Sequence, residues 1–220
     1  MMPAIVVFLG PSLRREEAAA IVPASFCPPV ARGDILDAAA GGAQVIGLID
    51  GVFFQECSVG HREILDVIRQ GIRVVGSSSM GALRAAELDT LGMEGVGEIY
   101  RLYRDGTLVS DDEVALIFDP DTYEPLSEPL VNIRCTIKKA QNDGIISGKT
   151  AEKLLESARA LYFPDRTYDQ ICGNARPCVD EDELARFSEF VSHHPVDQKA
   201  DDARNALVRI REIATSAGLL

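Results

Sequence analysis

Residues 72–88 read IRVVGSSSMGALRAAEL. Ile72, Val74 and Val75 form a short apolar, β-branched run, Gly76-Ser77-Ser78-Ser79 breaks it, and Met80 to Leu88 is built from good helix formers. The reading is strand, tight turn, helix. The same grammar occurs twice upstream. Ala4-Ile5-Val6-Val7-Phe8-Leu9 stops at Gly10-Pro11-Ser12, and a helical composition follows over 13–22 until Pro23. Val45-Ile46-Gly47-Leu48-Ile49 stops at Asp50-Gly51, and a helix is expected from His61 to Gln70 with Gly71 as its C-terminal stop. Strands separated by helices, with no two-residue hairpin turns between them, imply parallel pairing through helical crossovers. The expected fold is α/β: a short parallel sheet of strand-loop-helix units in the N-terminal half and a mainly helical C-terminal half.

From about Glu94 the strand signal fades, and helices are expected near 99–103, 114–117, 131–140, 151–162, 184–191 and 203–213, with breaks at 119–129 and 172–180. No repeat and no low-complexity linker divides the chain. A single domain over 1–220 is therefore expected, with an α/β core at 1–118 and a mainly helical extension at 119–220.

The composition narrows the function. The chain has 220 residues, 22 basic against 34 acidic, and a formal net charge of −12, which argues against nucleic acid as a partner. With 46% hydrophobic and 25% charged residues it has the balance of a globular protein rather than a disordered one. Its apolar stretches fall far short of the roughly 20 residues that cross a bilayer, and no secretory core follows a basic N-terminus, so a cytoplasmic location is expected. Five cysteines without a C-x-x-C pair fit neither a disulfide framework nor a four-ligand zinc site. No Trp and 6% aromatic residues leave little for a stacking platform.

In a parallel sheet every strand-to-helix loop leaves from the same edge, so Gly10 to Ser12, Asp50-Gly51 and Gly76 to Ser79 should gather at the carboxyl ends of the strands. Ser77-Ser78-Ser79-Met80-Gly81 has the context of a nucleophile elbow, in which a sharp turn exposes a hydroxyl beside helix N–H groups. The same serines could simply cap the helix, or the turn could hold phosphate, although no Walker lysine follows. His61 shares a helical stripe with Ile64, Leu65 and Ile68, so its ring is expected to face the sheet, as a general base or as a packing residue. Asp50 is either a site carboxylate or ordinary turn chemistry. Arg84 and Glu87 suit an i, i+3 ion pair, or Arg84 an anion clamp. Asp111-Asp112-Glu113 reads as a helix start rather than a metal site. His193-His194-Pro195 reads as a helix end.

Gly10-Pro11-Ser12-Leu13, Ile49-Asp50-Gly51, His61-Arg62-Glu63-Ile64-Leu65, the run from Ser78 to Leu88, Gly92-Met93-Glu94-Gly95 and Asp111 to Leu116, in that order, closely resemble the TfuA family. Val131-Asn132-Ile133-Arg134 and Asp197 to Ala203 also look like family positions, with Ala200 where a basic residue is expected. The run from Gly76 to Tyr103 is similar to methanogen-type members. The resemblance implies a partner of YcaO-type, ATP-dependent enzymes that replace a backbone amide oxygen by sulfur. It implies hydrolysis of the C-terminal thiocarboxylate of a small ubiquitin-like, ThiS-like sulfur carrier by a Ser–Lys pair, with no cofactor. The thioamidated target it suggests is the methyl-coenzyme M reductase alpha subunit. Carried onto this sequence, the serine is Ser79 by position with Ser78 its rival, and the lysine is Lys199, from a choice that includes Lys138, Lys139, Lys149 and Lys153. His61 would assist catalysis, and Ser12, Asp50 and Arg84 would bind substrate. The alternative is a non-catalytic adaptor that binds and activates the YcaO enzyme.

The pair makes a physical demand. An ordinary lysine titrates near 10.4, so a lysine that takes the serine proton at neutral pH must be depressed by roughly 3 units, about 4 kcal/mol. The substrate is already anionic, so positive potential is needed at the turn as well.

Overall fold

The computed structural model describes residues 4–53 and 57–220. Its elements in chain order are β1 (Ile5–Phe8), α1 (Arg15–Ile21), β2 (Ser25–Cys27), α2 (Asp34–Ala40), β3 (Val45–Leu48), α3 (His61–Arg69), β4 (Arg73–Ser77), α4 (Met80–Leu88), β5 (Glu94–Val96), α5 (Glu98–Arg104), α6 (Leu130–Asn142), α7 (Gly148–Ala160), α8 (Tyr168–Ala175), α9 (Glu181–His193) and α10 (Gln198–Ser216). The chain forms two compact units, one from residues up to Asp111 together with Lys199–Leu220, the other from Asp112–Gln198. From Lys199 onward α10 thus belongs to the first of these units. Among the described residues no helix is long and apolar enough to cross a membrane.

The first unit is α/β, with a five-stranded, all-parallel sheet in the order β2-β1-β3-β4-β5. Val7 lies beside Gly47, and Gly76 beside both Leu48 and Gly95. Successive side chains alternate between faces. Ile5, Val7, Val45, Ile49 and Val75 point to the face covered by Ala18 of α1 and by Ala203, Ala206, Leu207, Ile210 and Ile213 of α10. The apolar stripe of α10 is what draws it back to the sheet, since burying each such Leu or Ile is worth about 1.5–3 kcal/mol. Gly47 makes room for it, because a Cβ there would lie 2.6 Å from Ile210 Cδ1. The alternate positions, Val6, Phe8, Ile46, Leu48, Val74 and Gly76, face the side of α2, α3 and α4.

The second unit is helical. Leu130, Ile133, Ile137, Leu154, Ile171, Leu184 and Phe187 form its core. Glu113 is buried and accepts from Arg134 Nε at 2.7 Å and NH2 at 2.6 Å. Arg166, 1% exposed, pairs with Asp112 and also donates to the Asp112 carbonyl at 3.0 Å and the Ala158 carbonyl at 3.2 Å.

Several elements differ from expectation. Three strands are apolar enough to read from sequence, and β2 and β5 add three residues each. α2 and α8 are further additions, the latter beginning before the expected break at 172–180. Residues 114–117 are not helical: a single 3-10 turn at Asp111–Glu113 ends there, because Asp112 and Glu113 are committed to Arg166 and Arg134 instead of capping a helix.

Candidate functional site

β1 connects outward to β2 on one side and β3 to β4 on the other, so the carboxyl ends of β1 and β3 border the crevice where the strand order reverses. Doubly wound sheets place ligands there. Ser12 lies in the loop after β1 and Asp50 two residues past β3. Both are buried. Asp50 Oδ2 accepts the Gly10 N–H at 2.8 Å and the Ser12 N–H at 3.1 Å, while Oδ1 accepts the Ser12 hydroxyl at 2.6 Å. Desolvating a carboxylate is costly, and three donors at such distances offset that cost.

Lys199, in the first turn of α10, brings its Nζ to 4.0 Å from Asp50 Oδ1 and is 2% exposed. It is the buried one among the five lysines: Lys138, Lys139 and Lys149 are exposed, and Lys153 is half-buried. Lys139 pairs with Asp143 and Lys153 with Glu156, neighbours on their own helices.

The serine turn completes the group. β4 runs through Ser77, whose hydroxyl lies 2.8 Å from the Val96 carbonyl and 3.0 Å from that of Asp202. Ser78 has φ +65°, a left-handed backbone that among the described non-glycine residues only Tyr123 shares. The Ser79 N–H donates to the Ser77 carbonyl at 2.8 Å and closes a three-residue turn over Ser78. Holding a non-glycine residue there costs about 1–3 kcal/mol, and such strain concentrates at functional sites. Small residues permit it. A Cβ on Gly81 would lie 1.7 Å from the Leu48 carbonyl oxygen, and one on Gly76 2.3 Å from the Gly81 carbonyl oxygen, so α4 starts directly against the backbone of β3 and β4.

Ser78 Oγ is 2.9 Å from Ser12 Oγ and 2.9 Å from the Lys199 carbonyl. Loops after β1, β3 and β4 thereby meet with the start of α10 in one buried group: Ser12, Asp50, Ser78 and Lys199. The sharp turn falls on Ser78, one residue before the position expected from an elbow centred on Ser79. Ser79 is the N-cap residue of α4, and its side chain makes no cap bond.

His61 stands elsewhere. Its Nε2 contacts Glu87 Oε2 at 2.7 Å with half of the side chain exposed, so the ring faces solvent and not the sheet. The buried stripe of α3 runs through Ile64 and Val67, and His61, at the first turn, finds a carboxylate on α4 instead. Arg84 forms the i, i+3 pair with Glu87 at 2.7 Å and donates from Nε to the Val59 carbonyl at 3.1 Å. His193 ends α9 and His194 follows as its C-cap residue. Among the described residues no group of three His, Cys, Asp or Glu could hold a metal ion. Asp202 escaped sequence reasoning. Its Oδ1 accepts the Glu98 N–H at 2.9 Å and its Oδ2 the Ile99 N–H at 2.7 Å, a cap for α5 supplied from α10. Its position in the 197–203 string was the only signal.

The group brings together a hydroxyl on a strained turn, a second hydroxyl, a carboxyl group and a lysine amine, side chains that acyl-transfer chemistry can use. No curated protein matches the sequence. A family model described as TfuA-like protein matches residues 50–167, a span that includes Asp50 and the Ser78 turn. That is more than half of the chain, and this protein belongs to the TfuA-like family.

Proposed function

We propose that the protein hydrolyses the C-terminal thiocarboxylate of a small ubiquitin-like, ThiS-like carrier and delivers the sulfide to a YcaO-type enzyme for peptide backbone thioamidation, with the methyl-coenzyme M reductase alpha subunit as the target. The TfuA-like family is associated with YcaO-linked thioamidation, which supports the partner and the reaction class. The observation that carries the reading is the left-handed turn at Ser78, its hydroxyl gathered with Ser12, Asp50 and the buried Lys199.

In this reading Ser78 Oγ attacks the thioacyl carbon, a C–O bond forms, the C–S bond breaks, and sulfur leaves as hydrosulfide carrying the serine proton. Water then cleaves the acyl-serine ester, restores the hydroxyl and releases the carrier as a carboxylate with one proton. In place of the base role that the resemblance implies for it, Lys199, whose Nζ lies 4.0 Å from Asp50 Oδ1, joins the N-terminal end of α4 in supplying the positive potential that an anionic substrate requires. Ser78 is 0% exposed, so the carrier tail reaches it when the crevice opens, a step this reading assigns to docking of the YcaO partner.

The test is sulfide release from thiocarboxylated carrier, with and without the YcaO-type enzyme. Ser78→Ala should abolish release and Ser79→Ala should retain most of it. Unchanged release in both variants would overturn the hydrolytic reading and leave a non-catalytic adaptor.

A further inference from the structure

We infer that Ser12 is a proton relay between Ser78 and Asp50, so that the nucleophile is activated through a second hydroxyl onto a carboxylate, with Lys199 holding charge beside that carboxylate. The inference rests on Ser78 being the nucleophile, as proposed above.

Asp50 Oδ1 accepts, so the 2.6 Å contact consumes the Ser12 hydroxyl proton. The Ser12 oxygen is then an acceptor toward Ser78, and the Lys199 carbonyl is also purely an acceptor. Ser78 therefore has one proton and two acceptors, each at 2.9 Å. Donating to the Lys199 carbonyl parks the hydroxyl. Donating to Ser12 arms it, because the path then runs Ser78 Oγ, Ser12 Oγ, Asp50 Oδ1 without a gap longer than a hydrogen bond. The far end is anchored: Oδ2 is held by the Gly10 and Ser12 N–H groups, so Asp50 presents Oδ1 in one orientation. Lys199 Nζ stands 4.0 Å from that same oxygen.

During attack the Ser78 proton moves to Ser12 Oγ while the Ser12 proton moves to Asp50 Oδ1, and the Ser78 lone pair forms the C–O bond. When the C–S bond breaks, Ser12 Oγ hands its proton directly to the departing sulfur and takes one back from Asp50 Oδ1, so sulfur leaves as hydrosulfide and the Ser78 oxygen stays in the ester. Atoms and charge balance without any co-reactant. Ser12 touches the reacting hydroxyl; Asp50 acts through it.

The experiment compares Ser12→Ala, Ser12→Thr and Asp50→Asn with Ser78→Ala in carrier hydrolysis with the YcaO-type enzyme present, after circular dichroism confirms folding. Ser12→Ala keeps both N–H bonds to Asp50, and it should lower kcat by about 100- to 10,000-fold with KM unchanged. Ser12→Thr, which restores a hydroxyl, should recover most of the rate. A proton inventory in H2O/D2O mixtures should curve for the wild type, with two protons in flight, and become linear in Ser12→Ala. Normal kcat with a curved inventory in Ser12→Ala, or a folded Ser12→Thr as slow as Ser12→Ala, would overturn the relay while leaving Ser78 in place. Unchanged release in Ser78→Ala would instead overturn the function on which the relay rests.

Discussion

Gly81→Ala tests whether close backbone packing aims the serine turn. A Cβ at this position would meet the Leu48 carbonyl oxygen at 1.7 Å and its carbon at 2.6 Å. Both obstacles are backbone in the middle of the sheet, so no flexible side chain can move aside. Cβ atoms do not approach closer than 3.0 Å, which means the start of α4 must withdraw by about 1.3 Å. Overpacking of a tight interior costs about 1–3 kcal/mol and more where backbone must shift, while Ala in place of Gly in a helix returns up to about 1 kcal/mol. A net loss of about 2 kcal/mol or more is expected in urea denaturation. The functional effect should be larger than stability explains. Ser78 sits two residues before α4, and a displacement near 1 Å at a reacting group costs on the order of 100-fold in rate. Sulfide release per folded molecule should fall by that order. Gly173 in α8 is the internal control: nothing lies within 4 Å of a Cβ there, so Gly173→Ala should stabilise by about 0.5–1 kcal/mol and leave release unchanged. If Gly81→Ala matches the wild type in both urea midpoint and rate, packing of α4 on β3 does not set the turn.

Two further outcomes concern the helical unit. Burial, and then the nearby Asp197 charge, push the Glu128 carboxyl above its usual 4.5, so the folded state binds its proton more tightly than the unfolded chain does. The penalty is present above the raised folded value and disappears as pH falls through it toward 4.5; Glu128→Gln should therefore be more stable than the wild type at pH 7 and lose that advantage near pH 4, in urea titrations at each pH. Burial pushes the Cys172 thiol up to about 11, with the Asp169 charge adding to it, so iodoacetamide at pH 8 should modify Cys172 far more slowly than the exposed Cys57 and Cys178; equal rates by peptide mass analysis would contradict this.

The parts of the fold legible in the sequence are those in which local composition and tertiary role agree. β1 and β3 are buried on both faces and read as unbroken apolar runs, β4 shows buried Val74 and Val75 after an exposed Arg73, and α4 begins and ends where its composition does. β5 is different. Glu94-Gly95-Val96 is half-buried, and its glutamate pairs with Arg73 of β4 and Arg209 of α10, so partners remote in sequence make it a strand. β2 is three residues on the opposite edge, too short to show a period. Val114 to Leu116 are buried without being helical, and a run of four apolar residues cannot by itself distinguish those states.

The candidate site divides along the same line. Ser12, Asp50 and the serine turn were legible as positions because parallel topology sends every strand-to-helix loop to one edge, whatever the side chains do afterward. Which serine takes the turn was not, because Ser77, Ser78 and Ser79 are chemically identical and only the backbone separates them: Ser77 ends the strand and bonds to the Val96 carbonyl, Ser78 alone has positive φ, and Ser79 opens the helix. Lys199 lies 149 residues after the Asp50 it faces and carries no local signal of burial, so nothing but family resemblance could nominate it. His61 shows the converse error. Its spacing on α3 was correct as a stripe, yet the stripe meets solvent in its first turn, where Glu87 and Arg84 form a surface network. Helical periodicity reports the face of a residue and not its depth along the axis, and depth separates the buried group around Ser78 from the charges on the rim.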